Sequence, residues 1–455
     1  VAKAAEKSLY LAREKIYPRE VDGRFARLRA SAVVLLLGLY YGMAWVTWGG
    51  RQAVLFDLPN RKFYIFGLTL WPQDFFFLSW LLIIAALSLF FFTALAGRLW
   101  CGYACPQTVW TEIFLWMERI TEGRGAARRK LDKRPWTADK LWRKSSKQAL
   151  WIGFSLWTGF TFVGYFTPIR ELAREAATFS MGGWETFWVF FYSFATYGNA
   201  GYLREQVCRY MCPYARFQSA MFDRDTLIIS YDPQRGEPRG PRQRGVDPRS
   251  RGLGDCINCR MCVQVCPTGI DIREGLQYEC IACAACVDAC DGVMDKMGYP
   301  RGLVRYATEK SMEGMRTRIV RPRIMVYAVL LGALSVGLVA ALVMRTPLGM
   351  DVIRDRNALY RERADHIENV YTLKVLNKDS RAHTYVLEVS GLPTIRADTE
   401  PDPIRVAAGE VYPVAARVMV DSGVSAADGR DISFSLTAVD DPRLTVTETS
   451  RFFTP

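Results

Sequence analysis

The chain has 455 residues, with 59 Lys and Arg against 46 Asp and Glu for a net charge of +13, and it is 50% apolar and 13% aromatic. That length has room for about three domains. The charge gathers in particular connections rather than in one basic tract, which speaks against a nucleic-acid footprint, and the two histidines, His366 and His383, lie outside every apolar block, which excludes a bis-histidine haem in a membrane.

Residues 1–29 carry eight Lys and Arg and read as a cytoplasmic N-terminal segment. Behind them lie five apolar blocks: Ala30–Gly49, Phe75–Gly97, Gln148–Ile169, Trp184–Leu203 and Ile324–Met344. Each is close to the roughly 20 residues that carry a helix across about 30 Å of hydrocarbon, and tryptophans and tyrosines gather near their ends. The first block has spanning length and follows a charged stretch, so it is expected to remain as a span rather than be cleaved. Residues 98–147 hold twelve Lys and Arg, whereas the opposite connections hold Arg51, Arg61 and Lys62 in one and Arg170 and Arg174 in the other. This asymmetry predicts a bacterial inner (cell) membrane protein with five transmembrane α-helices, its N-terminus cytoplasmic and everything after Met344 periplasmic. All twelve cysteines then fall on the reducing side, an independent agreement.

Residues 30–222 are expected to form a four-helix membrane domain of two hairpins, and each hairpin ends alike. Leu99-Trp100-Cys101-Gly102-Tyr103-Ala104-Cys105-Pro106 follows the second span, and Gln206-Val207-Cys208-Arg209-Tyr210-Met211-Cys212-Pro213 follows the fourth. Both are C-x3-C-P, and both run into an amphipathic stretch, Val109–Met117 or Phe217–Phe222. The repetition reads as an internal duplication of a two-span unit. A helical start would put Cys101 and Cys105, and likewise Cys208 and Cys212, one turn apart on one face, with the proline ending the helix. Four thiolates converging near the cytoplasmic membrane face would hold copper(I) or an additional iron–sulfur cluster. The alternative is that small buried cysteines merely help helices pack. Met117 and Met211 read as core, and Glu112, Glu118 and Glu185 as solvated or lipid-interface carboxylates.

Residues 223–255 read as a linker. Asp232-Pro233, Glu237-Pro238, Gly240-Pro241 and Asp247-Pro248 are expected to break any helix, with one short strand at Leu227–Tyr231. Residues 256–323 contain Cys256-x2-Cys259-x2-Cys262-x3-Cys266-Pro267 and then Cys280-x2-Cys283-x2-Cys286-x3-Cys290. This doubled spacing is that of a two-cluster bacterial ferredoxin, in which the fourth cysteine of each run serves the other cluster. Two 4Fe-4S clusters are therefore expected, one on Cys256, Cys259, Cys262 and Cys290, the other on Cys280, Cys283, Cys286 and Cys266. Zinc ribbons use two C-x2-C pairs and have no need of the x2-x2-x3 pattern. A basic run, Arg316–Arg323, precedes the last span at 324–345.

From 346 to 455 the apolar period becomes two. Val370–Leu376, Thr384–Val389, Ile404–Val406, Val411–Val420, Ile432–Ala438 and Leu444–Glu448 read as strands of an immunoglobulin-like β-sandwich without its disulfide. His383, at a strand start, reads as a solvated surface residue. No phosphate-binding or dinucleotide-binding glycine motif is present, so electrons are expected from a partner or a membrane quinol.

Taken together, Arg98–Gln107, Cys208–Gln218, the doubled ferredoxin motif, Asp291–Gly302 and Ile367–Lys374 resemble the cbb3-type cytochrome c oxidase accessory protein family, called CcoG and also FixG or RdxA. The resemblance covers nearly the whole chain. It implies a cupric reductase that converts copper(II) to copper(I) during assembly of that oxidase, with membrane lipid, copper ions, and oxidase subunits or copper chaperones as partners. One departure from ferredoxins in general is that the second run ends Cys290-Asp291 rather than Cys-Pro.

Overall fold

The computed structural model describes residues 15–243, 252–355, 358–379, 381–423 and 429–455. The start of the basic N-terminal segment and the Asp247-Pro248 break lie outside these residues. The chain divides into two compact units, one ending at Val336 and the other running from Gly337 to Pro455.

The helices in chain order are α1 (Arg24–Met43), α2 (Phe75–Ala96), α3 (Leu99–Tyr103), α4 (Pro106–Glu122), α5 (Gly125–Lys133), α6 (Ala138–Val163), α7 (Ile169–Ala177), α8 (Gly183–Thr196), α9 (Pro213–Met221), α10 (Pro233–Gly236), α11 (Met261–Gln264), α12 (Ala285–Met297), α13 (Glu309–Met312) and α14 (Pro322–Val343). Among the described residues three helices, not the expected five, are long and apolar enough to cross a membrane: Arg24–Met43, Pro72–Ala96 and Pro322–Val343. Their aliphatic side chains point outward, with Val34, Leu35, Leu82, Ile83, Val336 and Val343 all more than half exposed. Lipid tails satisfy such a surface and water does not.

The other two expected spans differ for physical reasons. α6 begins ahead of its apolar block, and its first turns carry Asp139, Lys140, Arg143, Lys144 and Lys147. α8 has 14 residues and then winds into a π-helical turn, Tyr197–Leu203. The pair nevertheless packs closely. A Cβ on Gly159 would lie 2.4 Å from both Ser193 Oγ and Val189 O, so only glycine lets the two backbones approach this far. Trp151 meets Tyr197 while Phe162 meets Tyr192, so the two segments run antiparallel.

Between α1 and α2 the chain forms short strands that periodicity had not indicated: β1 (Thr47–Trp48), β2 (Arg51–Gln52), β3 (Val54–Asp57), β4 (Lys62–Ile65) and β5 (Leu68–Leu70). Buried Gln52 ties them to the turn after α6. Its amide donates to Gly164 O at 2.7 Å, and its carbonyl accepts from Ile169 N at 2.9 Å.

Glu118 and Glu122 stand one turn apart on α4 and both face inward. Glu118, 1% exposed, accepts from Arg204 Nη2 at 2.6 Å and from Arg128 Nη1. Glu122 lies 3.0 Å from Lys144 Nζ and 2.9 Å from Lys147 Nζ. Glu118 is thus not the solvated carboxylate expected, because α5 and the end of the π turn Tyr197–Leu203 bring guanidinium groups around it. Burial alone would lift its carboxyl, but Arg204 and Arg128 hold it below the usual range.

In the cysteine-rich segment, β6 (Ile228–Tyr231) pairs antiparallel with β7 (Val304–Ala307), Ile228 opposite Ala307 and Tyr231 opposite Val304. Ile229, Tyr231, Ile272, Val287, Met294, Leu303 and Val304 share one core. Asp232-Pro233, expected to break a helix, starts the short α10 instead. Asp232 accepts from Arg235 N at 3.1 Å, and Pro233 sits at the first helical position, where no N–H is missed.

The second unit is a two-sheet sandwich of β8 (Leu348–Arg354), β9 (Arg361–Glu362), β10 (His366–Asn377), β11 (His383–Ser390), β12 (Arg396–Glu400), β13 (Ile404–Val406), β14 (Val411–Asp421), β15 (Arg430–Ala438) and β16 (Thr445–Phe452). One sheet has the order β12-β14-β10-β8, with β9 on β10; the other is β13-β11-β15-β16. Alternate residues fill the space between them: Tyr371, Leu373 and Val375 from β10, Val414, Ala416 and Val418 from β14, and Ile432, Phe434 and Leu436 from β15. Periodicity missed β12, whose sequence Arg-Ala-Asp-Thr-Glu is that of a polar edge strand.

His383 is not on the surface as expected; its side chain is 6% exposed. The ring is held between Asp440 Oδ2, 2.7 Å from Nδ1, and Asp379 Oδ2, 3.1 Å from Nε2. Burial disfavours the protonated ring, yet the two carboxylates raise its pKa above the ordinary 6.5. A raised folded pKa means that this clamp stabilises fully below the unfolded value and weakens as pH rises through the folded one. The sandwich of the intact chain is therefore expected to lose stability across that window, followed by the thermal midpoint against pH, and H383Q should flatten the dependence. For the first unit, leaving two guanidinium groups unpaired costs about 3–5 kcal/mol. E118Q should lower the thermal midpoint of the detergent-solubilised chain accordingly, whereas D139N, which breaks the exposed Arg143–Asp139 pair, should cost no more than about 0.5 kcal/mol.

Candidate iron–sulfur centres

The two cysteine loops share an uncommon backbone. In Cys256–Cys262, Asn258 and Arg260 have φ of 55° and 56°; in Cys280–Cys286, Ala282 and Ala284 have φ of 53° and 59°. Residues with a side chain adopt this left-handed region rarely and at a cost. Here it recurs at the same two places in each loop. Alternating the handedness of successive residues turns their N–H groups into one concavity, which is how backbone cradles an anionic group such as an iron–sulfur cluster.

The cysteines sort into two sets. Cys256, Cys259, Cys262 and Cys290 line one cavity, with Tyr231, Met294 and Leu303 in its wall. Cys266, Cys280, Cys283 and Cys286 line another, to which Cys262 also contributes. Burial, then the neighbouring thiols, push Cys290 up to about 12. Burial likewise pushes Cys283 up to about 12 and Cys280 up to about 11, against the pull of Arg29 and Arg98. Such thiols become ligands when an incoming cation displaces their protons, which leave to solvent. Among the described residues no three His, Cys, Asp or Glu side chains converge closely enough to hold a single metal ion. Four cysteines spread around a cavity suit the corners of a cube better than one zinc or copper ion.

The departure at Asp291 has a local cause. Helix α12 runs through Cys290 to Met297, and Asp291 Oδ1 accepts from Gly302 N at 2.9 Å. Proline at that position would remove an N–H from a helix interior.

The two C-x3-C-P segments also share a form. Cys101 lies in α3; Cys105 is extended just past it at φ −61°, ψ 128°; Pro106 opens α4. Cys208 lies in a turn, Val207–Met211; Cys212 is extended at φ −80°, ψ 110°; Pro213 opens α9. The proline ends each first helix as expected, but the second is π-helical, not α. The fold brings the four thiols near enough to influence one another's ionisation, though not onto one metal-sized site. Burial first, then Cys105 and more weakly Cys208, push Cys101 up to about 12. Burial, then Cys105 and Cys212, push Cys208 up to about 11. Gln218 Nε2 lies 3.6 Å from Cys101 Sγ, linking α9 to α3.

These paired thiols sit against the second cysteine loop. A Cβ on Gly102, between Cys101 and Cys105, would lie 2.8 Å from both Ile281 O and Ala282 O. Tyr306 donates to Ala282 O at 2.6 Å, and its hydroxyl is 3.3 Å from that of Tyr103. Three arginines converge on the same region. Arg98 donates to Tyr278 O, to Cys280 O at 3.3 Å and to Ala215 O. Arg29 donates to Cys283 O, and Arg209 to Thr268 O. A cleft opens beside the contact, lined by Cys208, Cys283, Thr268, Gln107, Glu112 and Glu205. The spacing pattern had not singled out Gly102 or the three arginines. Only the adjacency of Arg98 and Arg209 to the C-x3-C-P motifs hinted at their roles.

Residues 203–309 match the 4Fe-4S dicluster domain family and residues 78–132 the 4Fe-4S binding domain family. Residues 338–455 match the family described as an IG-like fold at the C-terminus of FixG. The nitrogen fixation protein FixG of Rhizobium meliloti is 37% identical over 423 residues, covering 85% of this chain and 81% of its own length. RdxA of Cereibacter sphaeroides is 39% identical over 407 residues, covering 86% of each chain, and RdxB of the same organism is 39% identical over 439 residues, covering 92% of each. The crystal structure of a FixG-related protein from Vibrio parahaemolyticus, 36% identical, covers 24% of this chain and 96% of its own, with a TM-score of 0.22. With relatives this similar over most of both lengths, the chain belongs to the FixG/RdxA family of iron–sulfur proteins.

Proposed function

We propose that this protein is a membrane-bound electron relay that reduces copper(II) to copper(I) for assembly of a cbb3-type cytochrome c oxidase. In this reading Cys256, Cys259, Cys262 and Cys290 hold one 4Fe-4S cluster, and Cys266, Cys280, Cys283 and Cys286 the other. Such clusters give and take one electron at a time, which is what the conversion of Cu(II) to Cu(I) consumes. No bond is made and no proton is moved at the copper. The soft product ion is suited to the thiolates of Cys101, Cys105, Cys208 and Cys212. The observation that carries the proposal is the contact at Gly102, where the backbone between two paired cysteines lies against the backbone between Cys280 and Cys283. The copper step itself comes from the family resemblance.

The electron donor lies outside the chain, and a membrane quinol is the class proposed. Positive charge before α1 and between α2 and α6 supports a cytoplasmic location for the N-terminus and both cysteine regions. The closely packed α6–α8 pair returns the chain to the side it left, so the count of crossings before the sandwich stays odd. That parity supports a periplasmic sandwich, available to oxidase subunits or copper chaperones.

A second reading is a quinol-linked conduit in which the paired cysteines hold a further cluster and a partner protein takes the electrons. The match of residues 78–132, which contain Cys101 and Cys105, to a 4Fe-4S binding family favours it.

Anaerobically purified full-length protein decides between them. The reductase reading expects eight irons per chain and Cu(I) formation, followed with a Cu(I)-specific chelator, that C256S and C280S abolish. More than eight irons, with the excess lost in C101S and C208S and no copper reduction, would establish the conduit instead. Unchanged copper reduction in C256S and C280S would defeat both and leave a scaffold role. In addition, G102A should retain its iron yet slow Cu(I) formation, because its new methyl group would lie 2.8 Å from two carbonyl oxygens and push the two backbones apart.

A further inference from the structure

Three cations approach the second set of cysteines from three separate elements: Arg29 on α1 and Arg98 just before α3 reach the loop bearing Cys280 and Cys283, and Arg209 in the turn before α9 reaches Thr268 O, two residues past Cys266. Arg98 is 5% exposed. The Nε atoms of Arg98 and Arg209 are buried without a hydrogen-bond partner. Among the described residues none of the three guanidinium groups meets a carboxylate. Asp288, between Cys286 and Cys290 in sequence, is occupied elsewhere, accepting from Phe25 N at 3.1 Å and Ala26 N at 2.7 Å at the start of α1.

The other loop is built differently. Arg273 lines the Cys256–Cys290 cavity but is matched in bidentate fashion by Asp271, with Nε 2.8 Å from Oδ1 and Nη2 2.6 Å from Oδ2. Arg235, nearby in the chain fold, is paired with Asp255 at 2.5 Å. Arg242, beside Gly254, also keeps Nε and Nη1 without a partner, and the exposed Arg260 lines that cavity, so the difference is one of degree: three guanidinium groups without a carboxylate stand around the other set, and Arg98 is the most deeply buried of them all. Buried guanidinium groups without a counter-charge are costly, so this arrangement calls for an anion beside them.

A cube held by four thiolates is such an anion, and reduction makes it more negative. Net charge and hydrogen bonding around a cluster set its potential. We infer that Arg98, supported by Arg29 and Arg209, makes the centre on Cys266, Cys280, Cys283 and Cys286 the more easily reduced of the two. Arg98 is a positioning residue: it acts through the carbonyls of Tyr278 and Cys280 and through its charge, without contact to the reacting copper. Electrons entering either loop then settle on the side packed against the paired thiols. The redistribution is one electron passing from one centre to the other, with no bond broken and no proton transferred. The inference rests on the ligand sets proposed above.

EPR-monitored redox titration of the intact, iron-loaded protein in detergent tests it. The wild type should show two separate midpoints for the ferredoxin loops. R98Q should lower the higher one by at least tenfold in the reduction equilibrium, which is 59 mV for one electron, and leave the lower one in place. R98K, which keeps the charge, should recover at least half of that shift. The inference is overturned if R98Q moves neither midpoint or both equally, or if R98K behaves like R98Q. Should R98Q fail to hold iron, R29Q decides. Half-buried Arg29 makes a single bond to Cys283 O, and its loss should lower the higher midpoint alone by at least threefold; no drop overturns the inference. Iron and sulfide are measured on every sample. Wild-type protein without iron defeats the ligand assignment, whereas iron-loaded variants with unmoved midpoints defeat only the inference about the arginines.

Discussion

Backbone carbonyls between Tyr278 and Cys283 hold the first unit together. Arg98, Arg29 and Tyr306 all donate to them, and Gly102 presses against two of them. A carbonyl oxygen accepts from two directions, so one short loop can anchor a membrane-side helix, the first helix and β7 together. The same segment has left-handed φ at Ala282 and Ala284. That conformation turns the N–H groups one way and leaves carbonyls facing the other, towards the arginines. A loop strained to cradle an anion is thereby also the docking face for the helices that carry the paired thiols.

Buried charge is handled in two ways within this unit, and the contrast is informative. Around α4, Glu118 and Glu122 are enclosed by Arg128, Arg204, Lys144 and Lys147, so each buried carboxylate has cations of the chain itself beside it. Around the second cysteine loop, Arg98 and Arg209 keep buried Nε atoms with no acceptor. The first network is structural: it ties α4 to α5, α6 and the end of the π turn Tyr197–Leu203. The second has its donors in place for a group of opposite charge. Proximity of Gly102, Cys101 and Cys208 to that loop then gives the arginines a position between two sulfur-rich regions.

Reading the sequence worked where chemistry is local. The x2-x2-x3 spacing brings three thiols of one loop together whatever surrounds them, and the fourth cysteine of each run falls beside the opposite set in the cavities. The six strands read from period-two patterning are all present in the sandwich, because alternation directly reports which face is buried. Reading failed where a residue's surroundings come from distant segments. Glu118 reads as a solvated or lipid-interface carboxylate because nothing within several residues of it reveals Arg204. His383 was taken for a surface residue, yet Asp440, 57 positions away, closes over it. Hydropathy also overstated the spans, since it registers the apolar block in α6 but not the charged turns preceding it or the π turn that ends α8.

The sequence by itself determined which cysteines group into two sets of four, through their spacing, and the family to which the chain belongs, through motifs that survive without any knowledge of the fold. Only the tertiary structure decided that the paired cysteines meet the second ferredoxin loop and that Arg98, buried and without a carboxylate, lies against the same loop. The physical reason is range. Ligand spacing is a property of a few consecutive residues, whereas a close backbone contact and an uncompensated charge exist only once segments from Arg29, Arg98, Arg209 and Cys280 have been packed side by side.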